Sequence, residues 1–381
     1  MVSKLIVLSV CIGFVLVLLT VSTLVILWQL DILFTSENDT SPKEVIPAIP
    51  TWSPFQEVQV IHERSSVDRE IQMNPAADTL TVTDGNKISY YSFDEDTELF
   101  EYSQSVVLSD TPIAETTISR DGDFIAAVDV VGNVTMWSGT KHKPFDNMYS
   151  FEFGDYSISN IMFGSKNSRL YVRGVDDENR GALFQVENHQ IVWKLEHPSP
   201  IQGDSFGMSF HVQDNHLIVA SPADQSAFVY NIEKDQPVLV RKIESNVERS
   251  VFPYQVAWSN DCAILSDPTS AMGSKNMVGS LVVEGATISS VIQNPFPEDI
   301  SNFGTYIHAS GDFLHVSGTR KTRGVGSTWV YKKSGETYVP HTKIDGHTLG
   351  ASCAFGGITD TSTRFALGQE GAIRIFETRM T

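Results

Sequence analysis

Few residues in this 381-residue chain have the types and spacing that catalysis or metal binding requires. The sequence holds no H-E-x-x-H zinc motif, no phosphate-binding glycine loop and no C-x-x-C pair. His308 and His315 fall on neighbouring predicted strands, but two histidines without a third ligand more often satisfy local hydrogen bonds than bind zinc. We therefore expect a protein that is not an enzyme and that uses no cofactor or metal.

Charged residues that could contact a partner are concentrated in two predicted loops. They are an acidic group of Asp176, Asp177 and Glu178, and a basic group of Arg320, Lys321 and Arg323. The basic group stands out because the chain as a whole is acidic, so it could meet an acidic protein or an anionic glycan. Local pairing with neighbouring acids is the alternative interpretation of the same loop.

The charge of the chain argues against nucleic-acid binding. The formal net charge is −19, and the only charged side chain among the first 30 residues is Lys4. Phosphate contacts need clustered Lys and Arg. A solvated acidic surface also keeps a large domain soluble.

Residues 5–30 form an apolar segment long enough to cross a membrane. At about 1.5 Å per residue, the segment exceeds a hydrocarbon core of about 30 Å. A cleavable signal peptide has a shorter apolar stretch of roughly 7–15 residues, and no A-x-A-like site follows Leu30. We expect an uncleaved signal-anchor helix at 5–30, with a short N-terminal tail at 1–4 and a flexible linker at 31–55.

The flanking charges predict the orientation of this anchor. Lys4 precedes the apolar segment, whereas Asp31 and Glu37 follow it. The positive-inside rule then places the N-terminus in the cytoplasm and the rest of the chain in an extracellular or lumenal space. Two N-x-[ST] sequons, at Asn38 and Asn133, fit that side of a membrane and predict N-glycosylation.

Beyond residue 55, short apolar segments recur at a nearly constant interval. Each opens with a polar residue, and these residues are Asp78, Asp123, Arg169, Asn215, Asp261, Asp312 and Arg364. Their spacings are 45, 46, 46, 46, 51 and 52 residues. An inner strand precedes each segment, a third strand follows it, usually after a glycine, and an outer strand completes the unit. Four strands in about 40–50 residues are typical of a β-propeller blade.

The two ends of this array predict how it closes. The seventh unit stops at Thr381 after its third strand, and Glu57–Ile61 precedes the first unit as an extra strand. We predict an all-β, seven-bladed β-propeller over 56–381, in which this N-terminal strand completes the last four-stranded blade. A miscounted repeat is the alternative. Both charged loops then connect second and third strands, so they should lie on one face of the ring.

Two units resemble FG-GAP repeats of the integrin α-chain type. They are Phe206–Pro222 with Ala227–Tyr230, and Asn302–Gly318 with Trp329–Tyr331. An earlier unit, at 119–137, is more similar to a WD-type repeat. FG-GAP repeats often carry a D-x-D-x-D-G calcium loop, which this sequence lacks, so the resemblance implies the fold but not calcium binding.

These features together predict a membrane-anchored propeller that acts as a binding module for a protein or glycan. Two other functions remain open. A glycan-active hydrolase or lyase would bring acids and arginines together in the central channel. A scaffold subunit of a membrane complex would instead bind along the sides of its blades.

Overall fold

The computed structural model describes residues 55–379, within the compact unit Thr51–Thr381, apart from short segments. These segments are 63–69, 109–110, 141, 165–168, 201, 235, 245–250, 260, 272–277, 286–288, 299, 321–324, 336, 349–352, 360–361 and 370–371. The predicted anchor, the linker as far as residue 54 and the sequon at Asn38 therefore lie outside the described residues. Within the described part of the chain, no helix is long and apolar enough to cross a membrane.

The described strands form seven antiparallel sheets of four strands each, which confirms the predicted seven-bladed propeller. Blades 1 to 3 follow each other along the chain. Blade 1 contains β2 (Glu70–Met73), β3 (Thr79–Asp84), β4 (Lys87–Asp94) and β5 (Leu99–Val107). Blade 2 contains β6 (Ile113–Ile118), β7 (Phe124–Asp129), β8 (Val134–Thr140) and β9 (Lys143–Phe151). Blade 3 contains β10 (Ser157–Phe163), β11 (Leu170–Val175), β12 (Gly181–Glu187) and β13 (Gln190–Glu196).

Blades 4 to 6 repeat this order. Blade 4 contains β14 (Phe210–Gln213), β15 (His216–Ser221), β16 (Ser226–Asn231) and β17 (Val238–Glu244), with a 3-10 turn at Pro222–Asp224. Blade 5 contains β18 (Val256–Ser259), β19 (Cys262–Asp267), β20 (Ser280–Glu284) and β21 (Ser289–Gln293). Blade 6 contains β22 (Ile300–Ser310), β23 (Phe313–Arg320), β24 (Val325–Ser334) and β25 (Thr337–Thr348).

Blade 7 combines the two ends of the propeller domain. Its first three strands are β26 (Cys353–Thr359), β27 (Ser362–Gln369) and β28 (Ala372–Arg379). Its fourth strand is β1 (Gln56–His62), which pairs antiparallel with β28 from Gln56 opposite Glu377 to His62 opposite Ala372. The predicted closure of the ring by an N-terminal strand is therefore confirmed.

The hydrophobic core is distributed around the ring. Seven clusters of buried side chains occur in the described residues, and each joins one blade to the next. Second and third strands are covered on both faces, as in β15, where Leu217–Ser221 are all buried. Outer strands are covered on one side only, and in β13 the single buried side chain is Trp193. This arrangement explains why inner strands read as continuous apolar runs.

The closing strand β1 contacts its neighbouring blades as the fourth strand of an internal blade does. Phe55 packs against Phe313 and Phe365, with ring centroids 5.5 and 5.0 Å apart. Gln59 exchanges two hydrogen bonds with the backbone of Phe100 in blade 1. The side chain of Gln104 binds the backbone of blade 2 in the same way, and it follows Gln59 by 45 residues, one repeat. The closing strand is therefore a regular fourth strand.

Each of the two FG-GAP-like units contains a Phe-Gly turn, at Phe206-Gly207 and at Phe303-Gly304. Each turn lies against a glycine of the preceding blade. A Cβ atom on Gly181 would lie 1.8 Å from the carbonyl oxygen of Phe206, and one on Gly279 would lie 2.1 Å from that of Phe303. Both phenylalanines are fully buried. The recurrence of glycine before the third strand thus reflects close approach of the next blade as well as turn geometry.

Candidate functional site: the loop face and the channel mouth

One face of the ring carries both the turns that were predicted to bind a partner and the mouth of the central channel. It consists of the connections between second and third strands and those from each fourth strand to the next blade, and we call it the loop face. These connections share a face because the strands of every blade are antiparallel and consecutive. Asp176–Arg180 and Val130–Asn133 are two such turns.

A buried carboxylate holds the turn of blade 2. The Oδ1 atom of Asp129 accepts hydrogen bonds from the backbone N–H of Val131 at 3.0 Å and of Asn133 at 2.8 Å. Its Oδ2 atom accepts a bond from the side chain of Asn133 at 2.8 Å. Burial alone would raise the pKa of Asp129, but these hydrogen bonds outweigh it and lower the pKa below its ordinary value.

The turn of blade 3 has the same design, which assigns Asp176 a structural role. Its Oδ1 atom accepts bonds from the backbone N–H of Glu178 at 3.0 Å and of Arg180 at 2.9 Å. The Arg180 guanidinium binds its Oδ2 atom at 2.7–2.8 Å, and the pKa of Asp176 is lowered, chiefly by the Arg180 backbone N–H. Asp177 and Glu178 are exposed at the tip of this turn, where partner binding stays a prediction.

The basic cluster is only partly described. Arg320 is the last residue of β23, so it lies on the loop face as the repeat predicted. Its side chain, and the whole of Lys321 and Arg323, lie outside the described residues. Asn133 is exposed at the end of the blade 2 turn, and the amide nitrogen that would carry a glycan donates its bond to Asp129. Partner binding by the basic cluster and glycosylation of Asn133 both stay predictions.

Polar side chains at the start of first strands, or directly before them, link several blades to the next around the channel mouth. The Glu70 carboxylate accepts bonds from the backbone N–H of Thr116 at 2.6 Å and from its hydroxyl at 3.0 Å. Ser209 accepts from the N–H of Val256 at 3.1 Å, in the equivalent position of blade 4. Gln255 in blade 5 accepts from Ile307 at 2.9 Å. Donor and acceptor are one repeat apart in each case, so these bonds help to set the spacing of the blades.

Two of these channel residues are acids in adjacent blades. Burial raises the pKa of Glu70 to about 7, although hydrogen bonds from Gln72 and Thr116 oppose the shift. Glu115 is the equivalent residue in blade 2, and its pKa is also raised, first by burial and then by the negative charge of Glu70. Two carboxyl groups that resist ionisation together therefore lie at the channel mouth.

Two histidines lie deeper in the channel. The rings of His211 and His308 are 6.2 Å apart between centroids. Burial lowers their pKa values to about 3 and about 4, so both are neutral at physiological pH. His308 faces His315 across the strand pair, and His315 hydrogen-bonds to Thr328 at 3.2 Å. No group of three metal-binding side chains occurs among the described residues.

Ser205 and His197 in the loop before blade 4, with Asp224 in the 3-10 turn of blade 4, have the residue types of a catalytic triad but not its geometry. Gly203–Gly207 match the pattern G-x-S-x-G, and Ser205 has a positive φ of 54°. The motif requires a strand-to-helix turn, whereas here it precedes β14 without a helix. His197 faces Asp224 at 3.1 Å through Nε2, and its Nδ1 accepts the N–H of Ser199. Neither ring nitrogen is left to activate a serine.

Comparisons with known proteins support the fold alone. No family model matches this sequence, and no curated protein matches it. The chain is similar to one chain in the crystal structure of the mitotic checkpoint complex, with a TM-score of 0.58 and 9% identity. The match covers 88% of this chain and 95% of the other. The likeness therefore supports the β-propeller fold.

Proposed function

We propose that this chain is a membrane-anchored β-propeller whose loop face binds a protein partner in an extracellular or lumenal space. The observation that carries the proposal is the pair of turns that Asp129 and Asp176 fix at the ends of second strands. A turn held in one conformation loses little entropy on binding. The fold therefore supplies pre-organised contact points on one face.

The orientation of the proposed anchor at residues 5–30 can be tested in sealed membranes. Protease added to the cytosolic side of sealed membranes should spare the propeller, and digestion from that side would reverse the proposed orientation.

Photo-crosslinking tests the proposed face. A photoreactive amino acid is placed in the full chain at Glu178 on the loop face, at Asp96 on the opposite face, or at Val240 on the outer strand of blade 4. All three side chains are exposed. We expect a discrete crosslinked protein only from position 178. Crosslinks only from position 240 would favour the scaffold alternative, in which contacts lie along blade sides.

The finer resemblance to FG-GAP propellers is part of this proposal. Its support is the burial of Phe206 and Phe303 against glycines of the preceding blades. Such repeats serve as extracellular binding modules in the family they resemble. A glycan partner would use the basic group at 320–323. Charge reversal of Arg320, Lys321 and Arg323 should then abolish glycan binding and leave other loop-face contacts unchanged.

Glu70 and Glu115 favour a second candidate function, a glycan-active hydrolase. A carboxyl group with a pKa of about 7 can serve as a general acid. However, the seven first strands carry no Lys or Arg, and both carboxylates accept backbone hydrogen bonds from the next blade. We therefore place this function second. Turnover of an aryl glycoside by the full chain, lost in Glu70→Gln, would reverse the order.

A further inference from the structure

Two neighbouring turns of the loop face share one backbone design but present opposite chemistry. In blade 2 the turn is Asp129-Val130-Val131-Gly132-Asn133, and in blade 3 the turn spans Asp176–Arg180. In both, the first Asp accepts the backbone N–H groups two and four residues ahead. The tips are Val130 and Val131 in one turn, and Asp177 and Glu178 in the other.

The two valines contribute little to the stability of their own turn. Their side chains are 59% and 69% exposed, and the larger value is the highest among the exposed large hydrophobic residues of the described chain. Turn tips usually carry Gly, Asn, Asp or Ser, because those residues adopt turn geometry or bond to it. Here Asp129, Gly132 and Asn133 already hold the backbone. Two adjacent β-branched side chains are therefore displayed without a structural need.

The backbone of this turn is fixed from several directions. The N–H of Val130 bonds to the carbonyl of Pro112, and the N–H of Gly132 bonds to that of Asp129, each at 3.0 Å. The Val131 N–H bonds to the Asp129 side chain. A Cβ atom on Gly132 would lie 3.2 Å from the backbone nitrogen of Ile158, so the turn also packs against blade 3. The valine pair is thus held rigidly beside the blade that carries the acidic tip.

The surroundings of the valine pair are acidic. Asp177 and Glu178 are exposed, and so are Glu152 and Asp155 in the connection between blades 2 and 3. The Arg180 guanidinium is already engaged by Asp176 and Glu178. The Arg173 guanidinium is occupied by the Phe206 carbonyl and the Ser159 hydroxyl. A cation from outside the chain would therefore meet uncompensated negative charge in this sector.

We propose that the turns of blades 2 and 3 form one binding surface for a protein with an apolar pocket beside a Lys- or Arg-rich patch. Val130 and Val131 fill the pocket, and Asp177 and Glu178 meet the basic residues. An apolar centre surrounded by a polar rim is the usual layout of a specific interface. A second copy of this acidic chain, or an anionic lipid surface, would be repelled. The inference rests on the proposed function and names the part of the loop face that performs it.

A random 16-residue peptide library displayed on phage tests the surface without a known partner. The full chain is presented in nanodiscs, and empty nanodiscs remove background binders. We expect enriched peptides that combine Lys or Arg with large apolar residues. Their affinity should fall as salt rises, because the exposed charges are screened.

Two pairs of variants locate the binding. Val130→Asp with Val131→Asp, and Asp177→Lys with Glu178→Lys, should each weaken the enriched peptides at least about tenfold, an effect equal to 1.4 kcal/mol. The matched controls are Val240→Asp, an equally exposed apolar residue on an outer strand, and Glu95→Lys with Asp96→Lys on the opposite face. Both controls should bind like the wild type. Circular dichroism melting checks that every variant is folded.

The outcomes separate this inference from the function on which it rests. Peptides that are lost only on charge reversal at 320–323 would overturn this surface and leave a loop-face binding module intact. Peptides that resist every loop-face change, or a library that yields no enrichment, would overturn the surface as well. Crosslinking from position 178 then tests, independently of the peptides, whether the loop face binds a protein.

Discussion

The side-chain amide of Gln59 brackets the backbone of Phe100, since its Oε1 accepts the Phe100 N–H at 2.8 Å and its Nε2 donates to the Phe100 carbonyl at 2.9 Å. Gln59 lies on β1, the fourth strand of the last blade, and Phe100 lies on the fourth strand of the first blade. Because Gln104 repeats the contact between blades 1 and 2, the seam of the propeller is as well connected as an internal junction.

Truncation of Phe55 should loosen the closing strand β1. Phe55 is buried between blades 6 and 7, and Phe→Ala changes in cores cost about 3–5 kcal/mol. We expect Phe55→Ala to lower the melting temperature strongly and to expose β28 to proteolysis. Val58→Ala, an exposed change in the same strand, is the control and should melt like the wild type. Equal melting of the two variants would show that the strand contributes little to closure.

The sequence predicted this closure because the prediction needed only the number of repeats and strands, which does not depend on side-chain contacts. Seven polar strand starts and a missing fourth strand were enough to assign β1 to the last blade. The 45-residue spacing of Phe55, Phe100 and Phe145, and of Gln59 and Gln104, was also present in the sequence and would have given the same answer. One pair of residues at the repeat spacing is too weak a pattern to recognise before the blades have been assigned.

The candidate functional residues were harder to predict because their contacts depend on residues that the repeat alone does not specify. Partner binding by Asp176 stays a prediction, and the structure adds that its carboxylate bonds to Arg180 and to the backbone of its own turn. Glu70 and Glu115 lie 45 residues apart, and only the ring places them together at the channel mouth. Val130 and Val131 were overlooked because two adjacent valines are typical of a β-strand. They are exposed because they lie in a turn.

The channel acids should make the protein less stable as the pH rises. The folded-state pKa of Glu70 is about 7, above the ordinary value of 4.5, so the folded chain holds a proton that the unfolded chain has lost. The contribution to stability is full below about pH 4.5 and is lost as the pH rises through 7. Glu70→Gln with Glu115→Gln should remove this loss in denaturant titrations between pH 5 and 8. An unchanged pH slope in the double variant would contradict the assignment.

The channel histidines should act in the opposite direction. Their folded-state pKa values, about 3 for His211 and about 4 for His308, lie below the ordinary value of 6.5. The unfolded chain therefore binds protons first, and stability falls as the pH drops from 6.5 towards 4. His211→Gln should flatten this acid limb, and the amide oxygen can still accept the Trp258 N–H. His62→Gln, on the exposed end of β1, is the control and should leave the limb in place.

Substitution of Gly181 should separate steric fit from backbone conformation. A Cβ atom at Gly181, in blade 3, would lie 1.8 Å from the carbonyl oxygen of Phe206. The turn at Phe206 is the point where blade 4 contacts blade 3. Gly154 has open space around it and a positive φ of 64°, so Gly154→Ala should cost only about 1 kcal/mol, from backbone strain alone. We expect Gly181→Ala to reduce the free energy of unfolding by several times that amount in urea titrations, because the Phe-Gly turn must move away from its glycine. If Gly181→Ala cost no more than Gly154→Ala, blades 3 and 4 could move apart without loss of stability. Glycine would then precede the third strand for its turn geometry alone.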